Sequence, residues 1–178
     1  IAMGHDLGHT PFGHAGEAVL NNLFDGGFKH YLQSVRVAQV IEGLNLTHQV
    51  QNGIACHTTG PVADTLEGQI VKLADKIAYL NHDIDDAIDS GFITQEDLPK
   101  DCIAILGETS SKRINKMIHS IFVKSDGQNF VEMEDDVFSA TMKLRSFLFA
   151  RVYRIKPFLD EEEKADRIYE ESISQLYR

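Results

Sequence analysis

The sequence predicts an all-α fold, and three of its features lead to that prediction. Apolar residues recur along most of the chain at the three- and four-residue spacing of an amphipathic helix. Glycines and helix-capping residues stand between these periodic segments, where helices would begin and end. The alternation of apolar and polar residues that is typical of strands is nearly absent. The 178 residues are enough for one domain with a core, or for a domain with an appendage.

The first half of the chain predicts four helices. Their predicted ranges are 14–24, 31–42, 47–57 and 65–90. Thr47 stands where the third helix would begin, and threonine is a favoured N-cap. Gly91 stands just after the fourth helix, which is where glycine most often ends a helix.

The segment after Gly91 predicts a short interruption followed by further helix. Residues 94–97 are typical of a helix start, but Pro99 would break that helix. Residues 101–124 predict one or two helices, with Ser110 or Ser111 as the cap of the second.

The C-terminal part of the chain predicts two more helices. Residues 129–133 are interpreted as a short extended piece, and residues 134–154 predict a helix that Pro157 interrupts. Asp160 and Glu163 have the spacing of a capping box, which predicts a last helix that reaches the C-terminus.

The long helix over 65–90 has two faces of different chemistry. One face is an apolar stripe formed by Ile70, Leu73, Ile77, Leu80, Ile84 and Ile88. The opposite face carries Asp75, Tyr79, His82, Asp83 and Asp86. A surface helix usually presents Lys and Glu to water, whereas Asp, Tyr and His are groups that bind metals or ligands. We therefore expect this face to serve a functional site.

Composition and charge exclude some functions. The formal net charge of −10 argues against a broad nucleic-acid surface, so we expect nucleic acid only as a regulator. Cys56 and Cys102 form neither a disulfide framework nor a zinc motif, which favours a reducing, cytoplasmic setting. No apolar run approaches the roughly 18 residues that a membrane span needs, and we expect no membrane partner.

The start of the chain predicts that it belongs to a longer protein. It begins at Ile1 without an initiator methionine, and a motif rich in histidine follows at once. A site so close to a natural terminus would be poorly held, because termini fray. We therefore expect sequence upstream of Ile1.

The motif over residues 5–17 concentrates three histidines and two carboxylates among small and turn-forming residues. The adjacent His5 and Asp6 can give one metal ion both a nitrogen and an oxygen ligand, and Asp75 on the long helix can add a third. Imidazole together with carboxylate suits Mn, Fe, Zn, Ni or Mg, so the sequence predicts a divalent metal of unspecified identity.

The second half of the motif suggests proton transfer. His14 and Glu17 lie three residues apart and would share a helix face, where the carboxylate could orient the imidazole as an acid–base couple. Glu17 could instead be a carboxylate that the helix N-terminus favours. His9 is also a candidate site residue, because a packing histidine carries a desolvation cost. His30 is either a site residue or an exposed loop histidine.

Other polar residues have functional and ordinary interpretations. Tyr79 and Asp83 could bind a substrate hydroxyl, and Lys76 could reach a phosphate, although lysine on a helix is usually solvated. His82 is expected to pair with a neighbouring aspartate. The remaining histidines, His48, His57 and His119, are interpreted as structural or exposed.

Residues 5–17 resemble a signature of the HD-domain phosphohydrolases, and more narrowly of the dGTPase group. Three further stretches fit that group in order and spacing: 27–36, 43–47 and 67–87. The resemblance covers residues 1 to about 92. It implies a multi-helix HD-domain bundle around a metal site, with the HD domain over 1–125 lacking its upstream helices and a C-terminal helical extension over 126–178.

The resemblance also implies roles for single residues. The implied metal ligands are His5, Asp6 and Asp75, and a first histidine ligand has no counterpart in this chain. The implied catalytic residues are His14, Glu17 and His30. The implied substrate-binding residues are His9, near the α-phosphate, Lys76, a phosphate contact, and Tyr79 and Asp83, which would read the deoxyribose.

The implied activity is hydrolysis of a deoxynucleoside triphosphate, dGTP among them, to deoxynucleoside and inorganic triphosphate by attack of water at the α-phosphorus, in a homo-oligomer. Two alternatives stay open at this point. One is another HD phosphohydrolase that acts on a nucleotide monophosphate, a cyclic dinucleotide or an alarmone. The other is a non-catalytic nucleotide-sensing module, against which the retained His14 and Glu17 argue.

Overall fold

The computed structural model describes residues 1–58, 60–154 and 156–176, and within them it contains eight α-helices and no strand. The helices are α1 (Gly13–Leu23), α2 (His30–Arg36), α3 (His48–Ala55), α4 (Leu66–Asp89), α5 (Lys100–Leu106), α6 (Ser110–Ser125), α7 (Asp135–Arg151) and α8 (Lys156–Leu176). The all-α prediction is confirmed.

The second predicted helix changes its hydrogen bonding along its length. α2 ends at Arg36, and residues Val37–Ile41 continue it as a π-helix. The predicted range of 31–42 therefore corresponds to two helical segments of different pitch. Glu42 N–H donates to the carbonyl oxygen of Val37 at 2.9 Å, which closes the wider turn.

The capping residues are partly as predicted. Thr47 caps α3, and its side chain accepts a hydrogen bond from Val50 N–H. The cap of α6 is Thr109 and not Ser110 or Ser111, because the Thr109 hydroxyl is the group that reaches a free N–H of the first turn.

The segment after α4 differs from its prediction. Thr94 and Asp97 form a capping box, but it encloses only a 3₁₀ turn over Gln95–Asp97. Pro99 does not break a helix there; it is the N-cap of α5, where its missing N–H costs no intrahelical bond.

The last helix begins earlier than predicted. α8 starts at Lys156, so Asp160 lies inside the helix and is not its cap, and the side chain of Asp160 is outside the described residues. The final two residues also lie outside the description. Residues 131–134 have no regular structure and form no strand.

The chain divides into two compact units, one of which is formed from two separate stretches of sequence. Unit 1 comprises Ile1–Lys72 and Lys156–Arg178, and unit 2 comprises Leu73–Ile155. The boundary falls within α4. The predicted family-domain boundary at residue 125 is a different kind of division and stays a prediction.

Unit 2 has the larger apolar core. Fifteen buried residues form it, contributed by α4 to α7 and their connections. Ile77, Leu80 and Ile84 of the predicted α4 stripe lie in this core and are at most 4% exposed. Ile70, on the same predicted stripe, is 51% exposed, because it precedes the part of α4 that belongs to this core.

Unit 1 is assembled from both ends of the chain. α1 packs against α8, and α2 packs against α3. The first part of the histidine-rich motif, residues 5–12, is a loop between the N-terminal 3₁₀ turn (Ala2–Gly4) and α1, and its last part forms the first turns of α1. None of the described helices combines the length and the apolar character that crossing a membrane requires.

Candidate metal centre

Three side chains of unit 1 converge in the manner of metal ligands. His5, Asp6 and His57 each offer one ligand atom, and these atoms lie within 4.8 Å of one another. His5 Nε2 lies 3.3 Å from Asp6 Oδ2, and His57 Nε2 lies 3.4 Å from Asp6 Oδ1. Both imidazoles thus approach the same carboxylate, one on each oxygen.

Hydrogen bonds at the other ring nitrogen determine what the two imidazoles present to Asp6. His5 Nδ1 lies 2.7 Å from Ala2 O, and His57 Nδ1 lies 2.7 Å from Ile54 O. Because a carbonyl oxygen only accepts, each Nδ1 must carry the proton and donate. In a neutral ring, Nε2 then presents a lone pair towards the carboxylate.

This donor set fits a divalent cation. Two imidazole lone pairs and a carboxylate that point at one another repel unless a positive charge lies among them. Metal-binding histidines commonly donate their second ring N–H to a backbone carbonyl, as both rings do here. The set therefore fits a divalent metal, and it includes His5 and Asp6, two of the three predicted ligands.

His57 is placed by the end of α3. It follows the C-cap Cys56, and only 2% of its surface is exposed. Burial lowers the pKa of the His57 imidazole below its usual value, although its hydrogen bond to Ile54 O and the charge of Asp6 act in the opposite direction. A neutral, ligand-competent ring is therefore favoured.

His30 connects the Asp6 carboxylate to Glu17. Its Nδ1 is hydrogen-bonded to Glu17 Oε2, which also accepts from the His30 backbone N–H at 3.0 Å. Its Nε2 lies 3.8 Å from Asp6 Oδ1. Since the ionised carboxylate only accepts, Nδ1 donates, and Nε2 is the nitrogen that faces the centre.

Glu17 is held in its ionised form. Partial burial raises the pKa of its carboxyl, but the backbone and ring hydrogen bonds from His30 outweigh this, and nearby Lys29 adds to them. Lys29 Nζ lies 3.5 Å from Glu17 Oε1. The pKa of Glu17 is therefore below its usual value, so it remains a hydrogen-bond acceptor near neutral pH.

His9 and His14 complete a chain of five neighbouring imidazoles. The ring centroid of His9 lies 5.4 Å from that of His30, and the ring of His14 lies 6.4 Å from each of these two. Both side chains are exposed. In the described structure Glu17 pairs with His30, so the carboxylate–imidazole couple shown here is not the predicted couple of Glu17 with His14.

The motif loop is fixed against α2 at a glycine. Gly8 N–H donates to Ser34 Oγ at 2.9 Å, and Ser34 Oγ donates to His30 O at 2.9 Å. A Cβ at Gly8 would lie 2.3 Å from Ser34 N. The loop can approach the helix that carries His30 only because this position lacks a side chain.

The remaining predicted site residues lie in unit 2. Tyr79 Oη accepts a hydrogen bond from Arg145 Nε at 3.0 Å, and Asp83 accepts one from the hydroxyl of Tyr153. Burial, followed by this hydrogen bond, raises the pKa of the Tyr153 phenol. Tyr79 and Asp83 are therefore held in place by α7 and the turn that follows it.

Asp75 and Lys76 are half-buried on α4, also in unit 2. Each takes part in interactions within the structure. The role of Asp75 as a metal ligand and that of Lys76 as a phosphate contact stay predictions from the sequence.

The sequence profile of the HD domain matches residues 1–80. These residues therefore form an HD domain. HD domains bind divalent metals, in agreement with the donor set of His5, Asp6 and His57.

Curated relatives of this HD protein are named deoxyguanosinetriphosphate triphosphohydrolase-like protein. The one from Caldanaerobacter subterraneus subsp. tengcongensis is 52% identical over 181 residues, which cover 99% of this chain and 53% of the relative. The one from Clostridium perfringens (strain SM101 / Type A) is 48% identical over 190 residues, covering 99% and 56%. The one from Desulfatibacillum aliphaticivorans is 44% identical over 188 residues, covering 96% and 54%. The chain spans about half the length of these relatives, and the family resemblance of the sequence is confirmed.

Sequence reasoning missed His57 as a member of the HD protein's candidate centre. Its neighbour in space, Asp6, is remote in sequence, and the ring comes into position only through the way α3 ends. One weak signal was available, because six of the eight histidines fall within the first 57 residues: 5, 9, 14, 30, 48 and 57.

Proposed function

We propose that this HD protein is a metal-dependent phosphohydrolase that cleaves deoxynucleoside triphosphates to deoxynucleoside and inorganic triphosphate. The observation that carries the proposal is the convergence of three possible metal-ligand atoms, from His5, Asp6 and His57, beside the His30–Glu17 couple. The names of the relatives support the nucleotide substrate, with dGTP as the first to test.

The chain's own residues would hold the metal and the substrate. His5 and Asp6 are proposed ligands, and Asp75 is proposed as a further one on the sequence prediction alone. A divalent ion bound there would supply Lewis acidity, which acidifies water and offsets phosphoryl charge. The ion is proposed to be Mn, Mg, Fe, Ni or Zn, since imidazole and carboxylate ligands accommodate all of them.

Proton transfer is assigned to the neighbouring imidazoles. Water adds to the α-phosphorus, the bond to the 5′-oxygen breaks, and one proton must leave the water while one must reach that oxygen. Glu17 holds Nδ1 of His30, so His30 Nε2 is the atom that can take or give a proton. His14, which is exposed beside it, is proposed as the second proton-transfer residue.

Substrate recognition is proposed for four further residues on the basis of the sequence. His9 and Lys76 would contact the phosphates, and Tyr79 and Asp83 would contact the deoxyribose. Homo-oligomeric assembly and a cytoplasmic location, both predicted from the sequence, are not needed for this chemistry and stay predictions.

Product analysis tests the proposal. The full chain, freed of metal and reloaded with Mn²⁺, is incubated with each dNTP, and the products are separated by ion-exchange chromatography. We expect stoichiometric deoxynucleoside and triphosphate. The Asp6→Asn variant should lose bound metal and at least about 100-fold in turnover, whereas Asp25→Asn, an exposed aspartate after α1, should resemble the unmodified chain.

The same experiment separates the alternatives. Release of monophosphate or pyrophosphate would overturn the proposed bond cleavage and favour another HD phosphohydrolase. Nucleotide binding without any product, in metal-loaded protein, would favour a sensing module. Full metal occupancy in Asp6→Asn would remove that residue from the ligand set.

A further inference from the structure

We infer that His57 is a ligand of the metal ion, so that unit 1 supplies three ligands, His5, Asp6 and His57, from its own residues. The inference rests on the metal centre of the proposed function but not on the substrate or the reaction. His57 is no part of the resemblance that predicted His5, Asp6 and Asp75, and the structure alone brings it to the centre.

The first argument is the direction of the ring. Donation from Nδ1 to Ile54 O at 2.7 Å leaves Nε2 as the free ligand atom, and Nε2 lies 3.4 Å from Asp6 Oδ1. His5 repeats this arrangement on the other carboxylate oxygen, with its Nδ1 on Ala2 O. Two independent carbonyls thus orient two imidazoles towards one carboxylate, which is the geometry of histidines prepared for a metal.

The second argument is how closely the ligand groups converge. The ring centroids of His5 and His57 lie 4.8 Å apart, with the Asp6 carboxylate against both Nε2 atoms. The ring of His30 lies only 5.3 Å from that of His57, which adds a further basic group. His57 is also 2% exposed, and burying a charged ring is costly. One divalent ion balances the three groups without placing charge on either ring.

The third argument is that the two halves of the cluster pack closely together, with isoleucine side chains against two glycines. A Cβ at Gly53 of α3 would lie 2.4 Å from Ile1 Cδ1, and a Cβ at Gly4 would lie 3.3 Å from Ile54 Cδ1. The turn that carries His5 therefore sits directly on the helix that positions His57. Such preorganisation is what a metal site needs, because the ligands do not have to be ordered when the ion binds.

Metal titration tests the inference with the metal alone. The full chain is treated with EDTA, dialysed, and titrated with Mn²⁺ by calorimetry and with Co²⁺ by visible absorption, where the d–d bands report the ligand set. His57→Gln should weaken binding of both ions at least about 10-fold. Even the loss of a residue that only hydrogen-bonds to a ligand weakens metal binding by about 10-fold or more. It should also change the Co²⁺ spectrum. His48→Gln, an exposed histidine at the start of α3, serves as the matched control and should change neither.

Thermal unfolding distinguishes a ligand from a structural histidine. If His57 is a ligand, the metal-induced rise in Tm should shrink in His57→Gln while that of His48→Gln is kept. Unchanged Mn²⁺ affinity and an unchanged Co²⁺ spectrum in His57→Gln would overturn the inference, as would a lowered metal-free Tm with a full metal-induced rise.

A measurement on the unmodified chain covers the case in which the variant does not fold. Long-range ¹H–¹⁵N correlation spectra of the histidine rings are recorded before and after addition of Zn²⁺. We expect Nε2 of His57 to move to the shift of a metal-bound nitrogen while Nδ1 stays protonated. A His57 ring that stays protonated at both nitrogens with Zn²⁺ bound would overturn the inference. None of these three measurements uses a nucleotide. If the protein failed to hydrolyse dNTPs, the proposed function would be overturned, but the assignment of His57 as a ligand would stand.

Discussion

The three imidazoles that face Asp6, those of His5, His57 and His30, are each held at Nδ1. For His5 and His57 the acceptor is a backbone carbonyl, which has no protonation equilibrium. For His30 the acceptor is the carboxylate of Glu17, which does titrate. Of the three rings, only that of His30 is therefore held by a group that acid can protonate.

We expect Glu17→Gln to destabilise the chain by about 1–2 kcal/mol at pH 7, because it replaces hydrogen bonds to a charged acceptor by weaker neutral ones. The folded pKa of Glu17 lies below the ordinary value of 4.5. A lowered carboxyl pKa contributes stability above the unfolded pKa, and this contribution is lost as the pH falls through the folded pKa. The difference between the two proteins should therefore be present at pH 7 and shrink below about pH 4.5.

Urea denaturation at pH 7 and at pH 3.5, on either side of the ordinary carboxyl value, measures this difference. Glu42→Gln is the control, because Glu42 is exposed at the end of the π-helix, and its effect should stay within about 0.5 kcal/mol. A Glu17→Gln effect that is the same at both values would show that the carboxylate charge is not what holds His30.

The sequence predicted those residues of the centre whose proposed partners lie close to them in the chain. The pair His5–Asp6 is visible as a dipeptide, and the helical spacing of His14 and Glu17 suggested a couple. The structure pairs Glu17 with His30 across a turn instead, and it brings His57 to Asp6 from the end of α3. Both contacts depend on how separate segments pack, and no local spacing encodes that.

At the scale of secondary-structure elements, the contact between the motif loop and α2 determines where His30 stands. Gly8 touches α2 so closely that a Cβ would lie 2.3 Å from Ser34 N and 2.5 Å from Gln33 C. These are backbone atoms, which cannot rotate away as the end of a flexible side chain can. The loop and the helix would have to separate to admit any larger residue.

We expect Gly8→Ala to destabilise the chain by about 1–3 kcal/mol, the usual cost of overpacking a close contact. It should also weaken Mn²⁺ binding, since the loop carries Asp6. The control is Gly26→Ala, because a Cβ there meets nothing within 4 Å and should leave stability equal or slightly higher. Urea midpoints and calorimetric titration check both variants, and a Gly8→Ala protein as stable as Gly26→Ala would refute the close approach.

The elements themselves were largely predictable, because periodicity is a local property of the sequence. The ends were less so. Whether Thr109 or Ser110 caps α6 depends on which hydroxyl reaches a free N–H, and the start of α8 at Lys156 precedes the capping pattern at Asp160. Arg113 shows the same limit: it is 1% exposed and donates to Asn81, a burial that an amphipathic pattern does not predict for arginine.

At the scale of the whole molecule, the chain forms two compact units, one of which is discontinuous in sequence. Unit 1 needs α8 from the far end of the chain to cover α1. The sequence predicted only a C-terminal extension beginning at residue 126. No local pattern in the sequence shows that α8 packs against α1.

The contact between α8 and α1 supports a strained position. Phe12, the N-cap of α1, has φ 61°, a left-handed conformation that is uncommon outside glycine. Its ring packs edge-on against Tyr169 of α8 with centroids 5.9 Å apart. Tyr169 also lies close to Gly16, where a Cβ would come within 2.9 Å of its ring. The aromatic pair therefore helps to hold the strained start of α1, which leads to a prediction about local stability.

We expect Tyr169→Ala to lower the opening free energy of α1 amides by about 1–2 kcal/mol, because it removes a half-buried aromatic contact that holds α1 closed. Native-state hydrogen exchange measures this residue by residue. Because α7 belongs to unit 2, whose core contains no residue of α8, its amides should keep their protection. Ile168→Ala, next to Tyr169 but 52% exposed, should leave α1 unchanged. An equal loss of protection in α1 and α7 would mean that the chain opens only as a whole, and that the two compact units are not separate units of stability.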